Sequence, residues 1–140
     1  MNKRYQKAEE TLSLKVATFL KVQYPNIKYR FDIGADIKLT LGQASKFKRL
    51  QMNDRGYPDL FIAKPMNGYS GLYIELKKDI SEVFLKDGKT LKKRINSKTG
   101  KCHNQEQFKM LQELNNEGYL ALYGFGFDDT VQKIRNYLKG

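Results

Sequence analysis

Three residues carry the strongest chemical signal in this chain: Asp59 in "YPDLFIA", then Glu75 and Lys77 in "GLYIELKKD", sixteen and eighteen positions further on. Side chains alternate along a strand, so Glu75 and Lys77 share one face, about 7 Å apart at the backbone. If the two segments fold back on each other through "PMNGYSG" at 65–71, Asp59 falls opposite residues near Glu75. Two carboxylates then converge near a lysine. Phosphodiester hydrolysis uses such a set, because carboxylates hold a hard divalent cation that polarises the phosphate and acidifies a bound water. The lysine orients or deprotonates that water, or offsets charge building on phosphorus. An isolated Glu-x-Lys is equally an exposed ion pair on an amphipathic strand, worth little. Asp59 on the neighbouring strand is what favours a site.

The elements that must position these residues are legible in the pattern. Apolar groups recur at Leu12, Val16, Phe19 and Leu20, which predicts a helix over 8–23 stopped by Pro25. Extending that stripe back one turn reaches Glu9, while Glu10 points elsewhere. "IKYRFDI" at 27–33 predicts a strand, and "GQASKFKRLQ" at 42–51 a short basic helix. "DLFIA" and "GLYIELKK" then form a β-hairpin around the Pro/Asn/Gly-rich turn. Leu72, Ile74 and Leu76 face the core, and Tyr73, Glu75 and Lys77 face the other way. "EQFKMLQELNNEG" predicts a helix with Phe108, Leu111 and Leu114 on one face and Gly118 just past its end. "YLALYGF" is an apolar strand, and "DDTVQKIRNYL" closes as a helix with an acidic first turn.

Composition narrows the class. A chain of 140 residues that is 40% hydrophobic, with eight Phe and nine Tyr, builds one domain, 1–140, around one core. No segment approaches the roughly 18 uninterrupted apolar residues of a membrane span, and the N-terminus does not resemble a signal peptide, so the expected location is cytoplasmic. One cysteine, Cys102, and one histidine, His103, exclude an intrachain disulfide and a soft-ligand zinc site, so any metal is oxygen-bound. The net charge of +11 points to a polyanionic partner. Residues 86–101, "KDGKTLKKRINSKTGK", hold seven cations and one acid, and this run is expected to form an inserted hairpin or flexible arm between 79 and 102. Its Lys89, Lys92, Lys93, Arg94, Lys98 and Lys101, with His103 beside them, are the candidate contacts to nucleic-acid phosphates. A solvated lysine-rich loop is the plainer reading of the same run. Tyr57, Tyr73 and Tyr119 are either base-stacking or packing residues.

These segments resemble a known family. "YPDLFIA" with "YIELKK" sixteen positions on resembles the PD-(D/E)XK nuclease superfamily, with Pro58–Asp59 as its PD step and Glu75–Leu76–Lys77 as its E-x-K. "RGYPDLFIA", "GLYIELKK" and "HNQEQFKMLQELNNEGY" together look like the VRR-NUC domain, a nuclease module of phages and bacteria also present in eukaryotic repair enzymes. The similarity spans roughly residues 9–124.

The resemblance implies an α/β, restriction-endonuclease-like core: a mixed β-sheet flanked by helices, here with the basic insertion. It implies a metal-dependent endonuclease acting on DNA in a bacterial or phage-infected cell, structure-selective for a junction, flap or nick, and a possible homodimer. Asp59, Glu75 and the Leu76 carbonyl would hold Mg²⁺ or Mn²⁺, and Lys77 would be the catalytic lysine. The family's first-helix glutamate falls on Glu9, and its helix glutamine on Gln107, with Gln105 close enough to be confused with it. Two other readings stay open: a non-catalytic nucleic-acid-binding module on the same fold, and a sequence-reading restriction-like nuclease.

Overall fold

The computed structural model describes residues 3–32, 39–52 and 56–139, of which 3–10 are described by backbone alone. Eight elements follow in order: α1 (Lys3–Gln23), β1 (Tyr29–Phe31), α2 (Leu41–Leu50), β2 (Leu60–Ile62), β3 (Leu72–Lys77), α3 (His103–Asn116), β4 (Leu120–Phe125) and α4 (Gly126–Leu138). A single 3-10 turn, Ile80–Glu82, follows β3. The four strands form one sheet in the order β1-β2-β3-β4. β1, β2 and β3 are antiparallel neighbours, and β4 joins β3 in parallel. A parallel neighbour needs a crossover, which α3 supplies.

The β2–β3 hairpin closes on Asn67 and Gly68, both with positive φ (53° and 85°), the pairing that matches strand twist in a two-residue loop. Met66 and Tyr69 exchange backbone hydrogen bonds across it at 3.1 and 2.8 Å. The Asn67 amide nitrogen also donates to the Tyr137 carbonyl (3.1 Å), fastening the turn to α4.

Two apolar layers sandwich the sheet. On one face Leu12, Val16, Phe19 and Leu20 of α1 and Val131, Ile134 and Tyr137 of α4 bury Leu60, Ile62, Leu72, Ile74 and Leu76. On the other, Leu111 of α3 and Val83 cover Tyr73, Ala121 and Tyr123. The architecture is therefore a mixed sheet flanked by helices, as the sequence pattern and the resemblance require.

Several boundaries differ from the pattern. α1 begins at Lys3, five residues earlier than apolar periodicity indicates, because "KRYQKAEE" consists mostly of good helix formers. β1 is three residues long, and Ile33 and Gly34, where its end and turn were placed, lie outside the described residues. Gly118 sits past the end of α3 at φ +99°, the position expected for it. The larger correction concerns β3: it is not half-exposed, since all six of its residues are buried. A central strand covered on both faces has no solvent side, and that removes the exposed ion pair as a reading of Glu75 and Lys77.

Candidate active site

β2 starts one residue after Asp59, and the register that sets Leu60 against Ile74 continues to set Asp59 against Glu75. The ladder does not continue there as backbone. Instead the Asp59 carboxylate accepts the Leu76 N–H at 2.8 Å, while the Asp59 carbonyl accepts from the Asp32 N–H at 2.7 Å. The side chain thus takes the place of a strand residue. Within a strand the N–H and C=O of one residue point to the same side, so the Leu76 carbonyl also faces the Asp59 edge, beyond the end of β2.

Glu75 is 3% exposed and Lys77 8%. A carboxylate so deep needs donors, and Gln107 provides one: its side-chain nitrogen donates to Glu75 Oε1 at 2.7 Å. Gln107 is buried in α3, one turn from the helix start, whereas Gln105 is exposed. Geometry therefore separates the two glutamines, and Gln107 is the one that meets Glu75. Its Oε1 is buried and accepts no hydrogen bond among the described residues.

Gly56 holds the Asp59 loop against α3. Its φ is +88°, and a Cβ there would lie 2.7 Å from the Gln107 nitrogen and from the Glu106 carbonyl carbon. Only glycine lets the loop and the helix approach this closely. The contact ties the carboxylate on one segment to the amide on the other.

Tyr123 of β4, paired with Glu75 in the parallel register, is a part of the site that the sequence reading missed. Burial pushes its phenol well above the ordinary range, and the Glu75 charge pushes it further. Its hydroxyl is buried with no hydrogen-bond partner among the described residues. "YLALYGF" reads only as an apolar strand, and the signal that would have found Tyr123 is a parallel register, which pattern alone does not supply. Tyr73 behaves similarly: burial, then the hydrogen bond to Tyr57 (2.7 Å between hydroxyls), raise its phenol. It stacks on Phe61 (centroids 4.4 Å) and meets Tyr57 and Tyr119 edge-on, so the tyrosines form a packed aromatic ridge beside the carboxylates.

The basic segment is built rather than loose. It makes two successive turns, closed by the isolated bridges Phe84–Leu91 and Ile95–Cys102. Asp87 fastens the first, accepting from the Lys89 and Thr90 N–H groups (2.9 and 2.8 Å) and from the Thr90 hydroxyl. The hydroxyl is the chief cause of its lowered pKa, ahead of the backbone donors. Asn96 fastens the second through the Lys98 N–H at 2.8 Å. At the base, the Asn104 side-chain nitrogen donates to the Glu82 and Lys92 carbonyls (3.1 and 2.9 Å). Lys89, Lys93, Arg94, Lys98 and Lys101 are exposed, as is His103 at the first position of α3, and Lys92 is half-buried. All rise from the α3 side of the sheet, the face Glu75 points to.

Glu9 and Glu10 lie in α1, but their side chains fall outside the described residues. Among the described residues no three His, Cys, Asp or Glu side chains cluster as a metal cage. The donors present are the Asp59 and Glu75 carboxylates and the Leu76 carbonyl, all hard oxygens. That set fits Mg²⁺ or Mn²⁺, since Mg²⁺ in particular is commonly held by one or two carboxylates and completes its shell with water and phosphate oxygens.

The fold and site together define a class: a restriction-endonuclease-like α/β sheet with Asp59 set opposite Glu75 at the end of the β2–β3 hairpin and Lys77 two residues beyond Glu75. No family model matches the chain, and no curated protein matches it. Among solved structures, a "VRR_NUC domain protein" matches with a TM-score of 0.61 and 25% sequence identity, over 94% of this chain and 88% of that one. The likeness to a VRR-NUC domain is thus borne out across nearly the whole chain. It points to a nuclease domain.

Proposed function

We propose that this protein is a divalent-metal-dependent endonuclease that hydrolyses phosphodiester bonds of DNA. The observation that supports the reading is the register that sets Asp59 opposite Glu75 at the end of the β2–β3 ladder, where the Asp59 carboxylate accepts the Leu76 N–H and the Glu75 carboxylate the Gln107 amide. Asp59, Glu75 and the Leu76 carbonyl would hold Mg²⁺ or Mn²⁺, which supplies Lewis acidity towards the phosphate and an acidified water. Glu9 completes the acidic set in this reading. The Lys77 ammonium, on the Glu75 face of β3, orients the attacking water and neutralises charge that builds on the phosphate oxygens. Gln107 keeps one carboxylate oxygen of Glu75 fixed, so that the other faces the reacting phosphate. The built turns between 79 and 102 grip flanking phosphates through Lys89, Lys92, Lys93, Arg94, Lys98, Lys101 and His103, which confers affinity without base recognition.

The test is a cleavage panel. Supercoiled, linear and branched DNA are incubated with Mg²⁺ or Mn²⁺, comparing the wild type with Asp59→Asn and Lys77→Ala. Cleavage by the wild type and its loss in both variants is expected. Full binding with no cleavage in either metal leaves only the non-catalytic module, and cleavage that survives both substitutions overturns the site assignment.

A further inference from the structure

The helix α2 is the feature this reading leaves unused. Every residue from Leu41 to Leu50 is exposed, with Leu41 at 93%, Leu50 at 73% and Phe47 at 39%. Thr40 and Gln43 close a capping box at its start, the Gln43 N–H donating to the Thr40 hydroxyl and the Thr40 N–H to the Gln43 side chain. A ten-residue helix that buries nothing is marginal in water. Its amphipathic stripe awaits a partner.

The stripe runs through Ala44, Phe47 and Leu50, spaced by three. Cations border it on both sides: Lys48 follows Ala44 by one helical turn, and Lys46 precedes Leu50 by one. Arg49 lies on the remaining face, and residues 39–52 contain no acid. The excursion also leaves and re-enters the sheet at the candidate site, since Asp32 bonds to Asp59 on the way out. On the return Gly56 abuts Gln107. Six peptide units separate Leu50 from Gly56, so the C-terminal end of α2 lies within about 22 Å of the Asp59 loop whatever path joins them.

We propose that α2 is a second nucleic-acid-binding element. Lys46, Lys48 and Arg49 hold phosphates, and the Phe47–Leu50 stripe takes the faces of unpaired bases beside the scissile bond. Phosphates explain the cations but not the stripe. Apolar side chains meet the faces of bases only where these are unstacked, so a helix presenting both fits the boundary between duplex and single strand. A second copy of the chain on the same stripe would bring three uncompensated cations against three more. The inference rests on the proposed nuclease reading.

The test is binding by fluorescence anisotropy in EDTA, with a plain duplex and the same duplex carrying a single-stranded fork. The variants are Lys46→Gln/Lys48→Gln/Arg49→Gln, Phe47→Ala/Leu50→Ala, and Lys92→Ala/Lys93→Ala/Arg94→Ala in the basic turns. The charge variant is expected to weaken binding to both probes and to flatten the slope of log K against log salt by about 2.7. The stripe variant should lose roughly tenfold on the fork and nothing on the duplex. If both α2 variants bind like the wild type while the basic-turn variant is weak, α2 is no contact and the nuclease reading stands. If the wild type binds neither probe, both readings fall. The α2 inference is also overturned if the stripe variant loses only binding to phosphatidylserine vesicles, or only a dimer seen by sedimentation.

Discussion

On one face of β3, Leu72, Ile74 and Leu76 pack against α1 and α4, and on the other Tyr73, Glu75 and Lys77 face α3. All six are less than a tenth exposed, so depth of burial does not distinguish them. The apolar face gains free energy simply by leaving water. The polar face incurs a desolvation cost for each charge and recovers it only through placed partners, of which the Gln107 amide is the clearest. A fold optimised for stability alone would fill both faces with aliphatic groups. The difference locates where this chain keeps buried polar groups at a cost in stability, and that is where the proposed site lies.

Four experiments break or sharpen the contrast. Glu75→Gln is expected to lower DNA cleavage by about 10²–10³-fold, while the thermal midpoint stays level or rises, because a buried charge is gone. A matched loss of stability would make Glu75 structural. On the opposite face, Ile74→Ala should cost about 2–5 kcal/mol in urea unfolding through the cavity it leaves, and the molecules that remain folded should cleave normally. Gly56→Ala lies between these extremes. It places a side chain at positive φ against the α3 backbone, for a cost of about 1–3 kcal/mol, and its cleavage should fall further than its folded fraction.

The smallest effect separates the faces by pH. Tyr73 and Tyr123 hold their protons more tightly when folded than the ordinary value of 10.0 allows, burial being the main cause in each. Their contribution is therefore complete below about pH 10 and is lost as pH rises above it. Urea unfolding at pH 9 and pH 11 should show the decline, and Tyr123→Phe should reduce it. An unchanged decline in that variant would move the alkaline sensitivity elsewhere.

Most of the framework was legible from the pattern, because helices and the hairpin write their periods and turns locally. Pro25, Asn67–Gly68 and Gly118 each mark a boundary where the structure has one. The pairing of Asp59 with Glu75 was accessible for the same reason: a two-residue turn counts outwards to a definite register. What escaped was set by distant segments. The partnership of Glu75 with Tyr123 depends on a parallel neighbour reached through α3, and the burial of Lys77 depends on the sheet being covered twice. Gln105 and Gln107 are indistinguishable by composition, and only the helix phase against β3 separates them. The isolation of α2 was also invisible, since a short amphipathic helix in sequence looks the same whether or not its stripe is covered.

The Asn104 side chain, by bonding the carbonyls of Glu82 and Lys92, clips together two points ten positions apart at the root of the basic segment. The first turn beyond that clip is also seated on the sheet, with Phe84 edge-on to Tyr123 and Phe125 and Leu91 packed beside them. The tips at Gly88 and Gly100 have open space around them, whereas the Phe84 root rests on Tyr123, the register partner of Glu75. The segment is therefore anchored at its root and open to redesign at its tips.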